Sequence, residues 1–265
     1  MNPGLKKRET EEDGGFILYF KKKLAENKIV TKVHSTNNFV WIKLDKAICG
    51  TSHDIYLCCL YIKPRMRVNC PENDDLFDQL LYSINKYSQV GKNVLMGDYN
   101  SRTSTLIDYV ELDGNINGTD HINLLPETYT NDIKLKSRNN SDKEINEQGK
   151  NLIDLYIETK LSILNGRIDG DSLGYRTYYS PRGSSTVDYI ICSDDILHDF
   201  VFVHVFPPNE LSDHSIIWAG FNNNIIDTGN CMKDHSECDY DLLPGKFNLE
   251  TGSKTDFITS LEDSN

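Results

Sequence analysis

Val94-Leu-Met-Gly-Asp-Tyr-Asn100 is a short apolar run that reaches a glycine and turns abruptly polar. Three consecutive apolar residues followed by a glycine read as a buried strand that ends at Gly97. Polar residues just past the end of a strand are where α/β folds place their active sites. Gly, Asp and Asn are also what turns use, so the segment taken alone also reads as a turn. Its neighbours decide between the two.

Upstream, Phe16–Phe20, Phe39–Leu44 and Asp54–Tyr61 are apolar runs of strand length, the last closed by Pro64. The pair 39–44 and 54–61 can form an antiparallel ladder across the loop 45–53. The period then changes. Asp74 or Asp75 can cap a helix whose inner stripe is Leu76, Phe77, Leu80, Leu81 and Ile84. Downstream, residues 101–144 are polar and rich in Asn, Asp, Ser and Thr. A loop of that length is commonly functional or disordered. A second amphipathic helix is predicted over 147–159, with Leu152, Ile153, Tyr156 and Ile157 inward, followed by a strand over 162–165. Arg176–Tyr179 and Thr186–Cys192 predict a hairpin about Gly183. Residues 200–206 and 216–221 predict the last two strands. Strands with interspersed helices favour an α/β sandwich, two mixed sheets covered by helices.

The bulk numbers bound the function. With 265 residues, 38% hydrophobic and 26% charged, the chain has the composition of a globular protein. No apolar run approaches the ~20 residues of a membrane helix, and residues 1–15 carry no signal-peptide core. The seven cysteines are odd in number and irregularly spaced, with no CxxC pair. The chain reads as intracellular, nuclear or cytoplasmic, and not secreted. Its net charge is −12, half of it from nine acids and three bases in residues 222–265. That balance opposes strong non-specific nucleic-acid binding, which needs clustered Lys and Arg. Residues 1–13 read as a disordered charged terminus, 14–221 as the folded domain and 222–265 as an acidic tail with a weak helix candidate over 254–261.

Three further segments offer chemistry. Asp188 interrupts an apolar strand, and burying a carboxylate is costly unless it is paired. It lies on an exposed face or has a buried partner such as a histidine. Leu211-Ser-Asp-His-Ser215 precedes the last strand. Asp213 and His214 there offer a carboxylate for a metal and an imidazole for a phosphoryl oxygen, or cap a turn. Tyr61 ends the strand before Pro64, a position that more often serves packing.

Together, the order Tyr61, then Gly97-Asp98-Tyr99-Asn100, then Asp188 within a strand, then Ser212-Asp213-His214 resembles the endonuclease/exonuclease/phosphatase superfamily. It is most similar to the endonuclease region of LINE-type, non-LTR retrotransposons. The segments Gly14–Tyr19, Phe39–Leu44, Leu60–Pro64, Ile163–Asp171 and Gly183–Asp188 share in the resemblance, which spans residues 14–221. The stretch Leu242–Leu261 resembles the linker that precedes reverse transcriptase in such elements.

The resemblance implies a four-layer α/β sandwich of two mixed β-sheets and a metal-dependent nicking activity on DNA, with Mg²⁺ or Mn²⁺ as cofactor. It implies that Asp98 deprotonates the attacking water, Asn100 holds that water or a phosphate oxygen, and His214 donates to a non-bridging oxygen. Asp188 would fix the His214 tautomer, Asp213 would help coordinate the metal, Tyr61 would contact the phosphate and Thr177 would lie near the DNA. Relatives begin with a strand bearing an Asn and a second strand ending in a metal-binding Glu. Here thirteen mostly polar residues precede Gly14, and Glu9, Glu11 and Glu12 follow no strand-like run. The expectation is a domain missing its first strands, with an incomplete site and impaired activity. Lys63 stands where relatives usually show proline. A non-catalytic relic or binding domain of the same fold, or a phosphatase of the superfamily, is the alternative.

Overall fold

The computed structural model describes residues 16–20, 30–64, 71–110, 115–116, 119–120 and 137–222. All belong to the first of two compact units, residues 1–225; the second, 226–265, lies outside the described residues. So do the expected disordered terminus 1–13 and, apart from Asn222, the acidic tail with its helix candidate.

The centre of the fold is a six-stranded mixed sheet. Its strands are β1 (Val30–Ser35), β2 (Phe39–Leu44), β3 (Ile55–Tyr61), β4 (Lys92–Asp98), β7 (Leu161–Ile163) and β10 (Asp188–Ser193), in the spatial order β1-β2-β3-β4-β10-β7. β3 and β4 run parallel; β2 pairs with β3, and β10 with both β4 and β7, antiparallel. A parallel pair needs a crossover, and the helix Pro71–Ser88 supplies it between β3 and β4. Apart from that sheet, β5 (Asn115–Ile116) and β6 (Thr119–Asp120) pair with each other and Asp194–Asp199 forms a 3-10 helix; two other α-helices are described, the four-residue Lys46–Cys49 and Glu147–Thr159. Numbered in chain order they are α1 (Lys46–Cys49), α2 (Pro71–Ser88) and α3 (Glu147–Thr159).

Alternation along the strands sends side chains to two faces. Trp41, Cys58, Leu95, Tyr189 and Ile191 meet Leu80 and Ile84 of α2 and Leu152 and Tyr156 of α3. Val94, Ile190 and Cys192 face the other way, toward Phe200 and Val203. Those two residues belong to β11 (Phe200–Val205), which pairs antiparallel with β12 (Ile217–Phe221). Among the described residues the molecule is therefore layered as helices, mixed sheet and second sheet. The α/β class holds, and the second sheet is this antiparallel pair. An apolar cavity of about 620 Å³ lies beside it, lined by Leu57, Met96, Ile217 and Phe221 and touching Asp98 and Asp188 at its rim. Among the described residues, no helix is long and apolar enough to cross a membrane.

Several elements depart from the sequence expectation. Phe16–Phe20 forms no strand; it lines the cavity with Phe16, Ile17 and Leu18 instead. β1 is an additional strand, invisible to pattern reading because five of its six residues are exposed. α2 begins at Pro71, ahead of Asp74, in keeping with proline's fitness for the first helical turn. The expected hairpin is shorter: β8 (Tyr178–Ser180) pairs with β9 (Gly183–Ser185), and β10 leaves for the central sheet. The described parts of the 101–144 loop are tightly held, with Arg102 bonded through two nitrogens to the buried Asp142.

Candidate active site

Register brings the first site residues together. Tyr61, the last residue of β3, sits opposite Asp98, the last residue of β4. Asp188, the first of β10, sits opposite Asp98 from the other side. Three strand ends thus place a phenol and two carboxylates in one row. Gly97 permits this approach. Its φ is +147°, and a Cβ there would fall 1.9 Å from the Leu60 carbonyl oxygen.

Asn100 then turns back on Asp98. Its own φ is +47°, in the left-handed region that Asn tolerates better than most residues. The Asn100 backbone N–H donates to Asp98 Oδ1 at 2.8 Å, and its side-chain amide donates to Asp98 Oδ2 at 2.9 Å. The same amide also donates to the Ile62 carbonyl. Both carboxylate oxygens are thereby oriented. The turn and the site turn out to be one structure.

His214 arrives from the segment before β12. Its Nδ1 lies 2.9 Å from Asp188 Oδ2 and 3.1 Å from Oδ1. Its Nε2 lies 4.0 Å from Asp98 Oδ2. Of the two readings of Asp188, an exposed face or a buried partner, the histidine partner is the one found. Ligand atoms of Asp98, Asp188 and His214 all lie within 4.8 Å of one another. Asp213, expected as a metal ligand, is exposed and stands outside this cluster. Thr177, expected near nucleic acid, is fully buried, its hydroxyl accepting from Val187 N and Asp188 N.

Two residues without an assigned role in the sequence reading also shape the site. Asn165 accepts from Ile190 N at 2.9 Å and donates to the Asp188 carbonyl at 3.4 Å, pinning the start of β10. Tyr178 packs its ring against His214, with centroids 4.9 Å apart. Asn165 lies directly after an apolar run, where a polar residue can be noticed. Nothing in the sequence marks Tyr178 out from Tyr179.

Electrostatics follow from this crowding. Burial, followed by repulsion from Asp188, pushes the Asp98 carboxyl up to about 6. The hydrogen bond to Asp188 holds the His214 imidazole above its usual range, against the opposing effect of burial. Burial also raises the Tyr61 phenol, and Asp98 adds to the effect. The Asp98 shift carries a stability consequence. Between its unfolded value of 3.8 and its folded value of about 6, the folded chain binds more protons than the unfolded chain, so stability falls as pH rises through that window. Asp98→Asn should therefore stabilise the metal-free protein by about 2 kcal/mol at about pH 7 and much less at about pH 4. Urea unfolding of both proteins at the two pH values measures the difference.

Comparison with known structures finds similar folds. The chain is similar to the endonuclease domain of TRAS1, a telomere-specific non-LTR retrotransposon, at a TM-score of 0.46 and 19% identity, covering 73% of this chain and 66% of that one. A 3′-5′ exonuclease (NExo) from Neisseria meningitidis is similar at a TM-score of 0.46 and 13% identity, covering 70% and 65%. A Neisseria NExo variant, a 3′ phosphatase bound to a product DNA hairpin, is similar at a TM-score of 0.44 and 13% identity, covering 73% and 70%. The chain spans just under two thirds of the length of the first two. No protein-family model and no curated protein matches the sequence.

Proposed function

We propose that this chain is a metal-assisted phosphodiesterase of the endonuclease/exonuclease/phosphatase type, hydrolysing DNA in the manner of a retrotransposon nicking domain. The observation that carries the reading is the meeting of Asp98, Asp188 and His214 within 4.8 Å at adjoining strand ends.

The donor set fits a hard divalent cation. Two carboxylates face each other across one ladder rung, and their repulsion contributes to the raised Asp98 pKa. Oxygen donors of this kind suit Mg²⁺ or Mn²⁺. Asp98 and Asp188 would hold the ion. When bound, the ion supplies charge neutralisation at the phosphoryl oxygens.

The remaining chemistry belongs to the side chains. Asp98, at the meeting of three strand ends, is the group that would take a proton from an attacking water. Asn100 fixes the direction of that carboxyl by bonding both its oxygens. Asp188 occupies His214 Nδ1, which leaves Nε2 to donate toward a phosphoryl oxygen. The neighbouring carboxylate favours the protonated ring, and in that form Nε2 would donate where negative charge grows. Tyr61, which ends the neighbouring strand opposite Asp98, would contact the phosphate.

One observation favours a second reading within this chemistry. The net charge of −12 makes a poor clamp for long DNA, which suits a small phosphomonoester better. Purified chain should nick supercoiled plasmid with Mg²⁺, at the impaired rate expected above, and stop on adding EDTA. Phosphate release from a 3′-phosphorylated oligonucleotide without plasmid nicking selects the phosphatase. Failure on both substrates across Mg²⁺ and Mn²⁺ concentrations rejects hydrolysis.

A further inference from the structure

We propose that Thr177 is a positioning residue, whose buried hydroxyl sets the Asp188–His214 pair in line without touching substrate. The inference rests on the hydrolytic reading above and assigns one part of that site.

Thr177 is 0% exposed. Its Oγ1 accepts from two consecutive backbone N–H groups, Val187 at 3.0 Å and Asp188 at 3.1 Å. These flank the point where β10 begins and Asp188 meets Asp98. Its backbone carbonyl accepts from Ser215 N at 2.7 Å, directly after His214. Its own N–H donates to the Ser185 carbonyl at 2.9 Å. One residue thus bonds to the strand carrying the carboxylate and to the segment carrying the imidazole.

The two residues that follow continue the clamp. Tyr178 forms a bridge with His214 and packs its ring on the imidazole. Tyr179 N donates to the Asp213 carbonyl at 2.8 Å. The His214 segment is therefore fastened at residues 213, 214 and 215 to the start of β8. The Asp188 segment is fastened to the same place through a single oxygen. An acceptor with two lone pairs on a short side chain is what that junction requires. Valine has the shape and lacks the acceptor; serine has the acceptor and lacks only a methyl group.

The experiment compares Thr177→Val and Thr177→Ser with the wild type in steady-state plasmid or oligonucleotide hydrolysis. Amide hydrogen exchange at Val187 and Asp188 is followed alongside. A positioning role predicts that Thr177→Val lowers kcat by about 10–100-fold at nearly unchanged KM, the scale of a small misplacement of catalytic groups. Thr177→Ser should return kcat to within about threefold, with exchange at both amides fast in Val and slow in Ser. A rise in KM with kcat retained makes Thr177 a substrate contact and overturns the proposal. So does a lowered Tm with kcat unchanged, or a kcat loss as large in Ser as in Val. Should Thr177→Val not fold, Ser is decisive: its kcat and its two amides must match the wild type. Should the wild type hydrolyse nothing, the functional reading fails separately. The exchange data and the His214 ring resonances then decide the clamp: unchanged in Thr177→Val, they overturn it.

Discussion

Asp108→Ala should cost about 3–5 kcal/mol of folding stability, read as a fall in the urea midpoint. Asp108 and Arg167 have side chains 0% and 1% exposed, and the guanidinium bonds both carboxylate oxygens, at 2.6 and 3.1 Å. Asp108 Oδ2 also accepts from Ile163 N in β7 at 2.8 Å. Alanine removes the carboxylate from a buried guanidinium and leaves a buried strand N–H without that acceptor. A second buried guanidinium, Arg138, stands close enough for Asp108 to raise its pKa against the lowering by burial. Losing the nearest negative charge therefore strains two cations. Folded domains carry about 5–15 kcal/mol in total, so the loss is a large share. Asp108→Asn keeps one of the two acceptor oxygens and none of the charge, so it should recover only part of that loss.

Asp188→Asn should lower hydrolysis by about 10²–10⁴-fold with the fold intact, in line with carboxylate-to-amide changes behind a catalytic histidine. The carboxylate accepts from His214 Nδ1 and is the foremost cause of the raised imidazole pKa. An amide that presents its NH₂ group to Nδ1 makes that nitrogen an acceptor, so the ring carries its single proton on Nε2 and loses the positive charge that strengthens donation to a phosphoryl oxygen. It also withdraws one of two charges available to a cation. Rates at saturating substrate and a range of Mg²⁺ concentrations separate the two: added Mg²⁺ restores a metal defect and leaves a histidine defect in place.

Much of this site was legible because its residues interrupt regular patterns. Gly97 to Asn100 break an apolar strand, and Asp188 breaks another, so the sequence exposes them as costs needing a reason. The helices were equally readable: Leu76, Leu80 and Ile84 of α2 are all buried, as are Leu152 and Tyr156 of α3. What escaped was carried by long-range or polar contacts. Asp108 and Arg167 are 59 residues apart, and no local pattern pairs them. β1 carries almost no buried residue and gives no apolar signal. Phe16–Phe20 has a strand's composition, yet composition does not supply the ladder partner that makes a strand. The resemblance places Thr177 near the DNA, and nothing local in the sequence marks the two backbone amides that its hydroxyl meets.

The most direct test of the hydrolytic assignment is the Mg²⁺-dependent plasmid-nicking rate of Asp98→Asn beside that of the wild type. The variant should be folded at neutral pH, because removing the charge relieves its repulsion with Asp188. Its rate should fall by about 10³-fold, the joint loss of the proton acceptor and a cation ligand. Equal rates in the two proteins contradict the account, since hydrolysis would then proceed without the carboxylate on which the site is built.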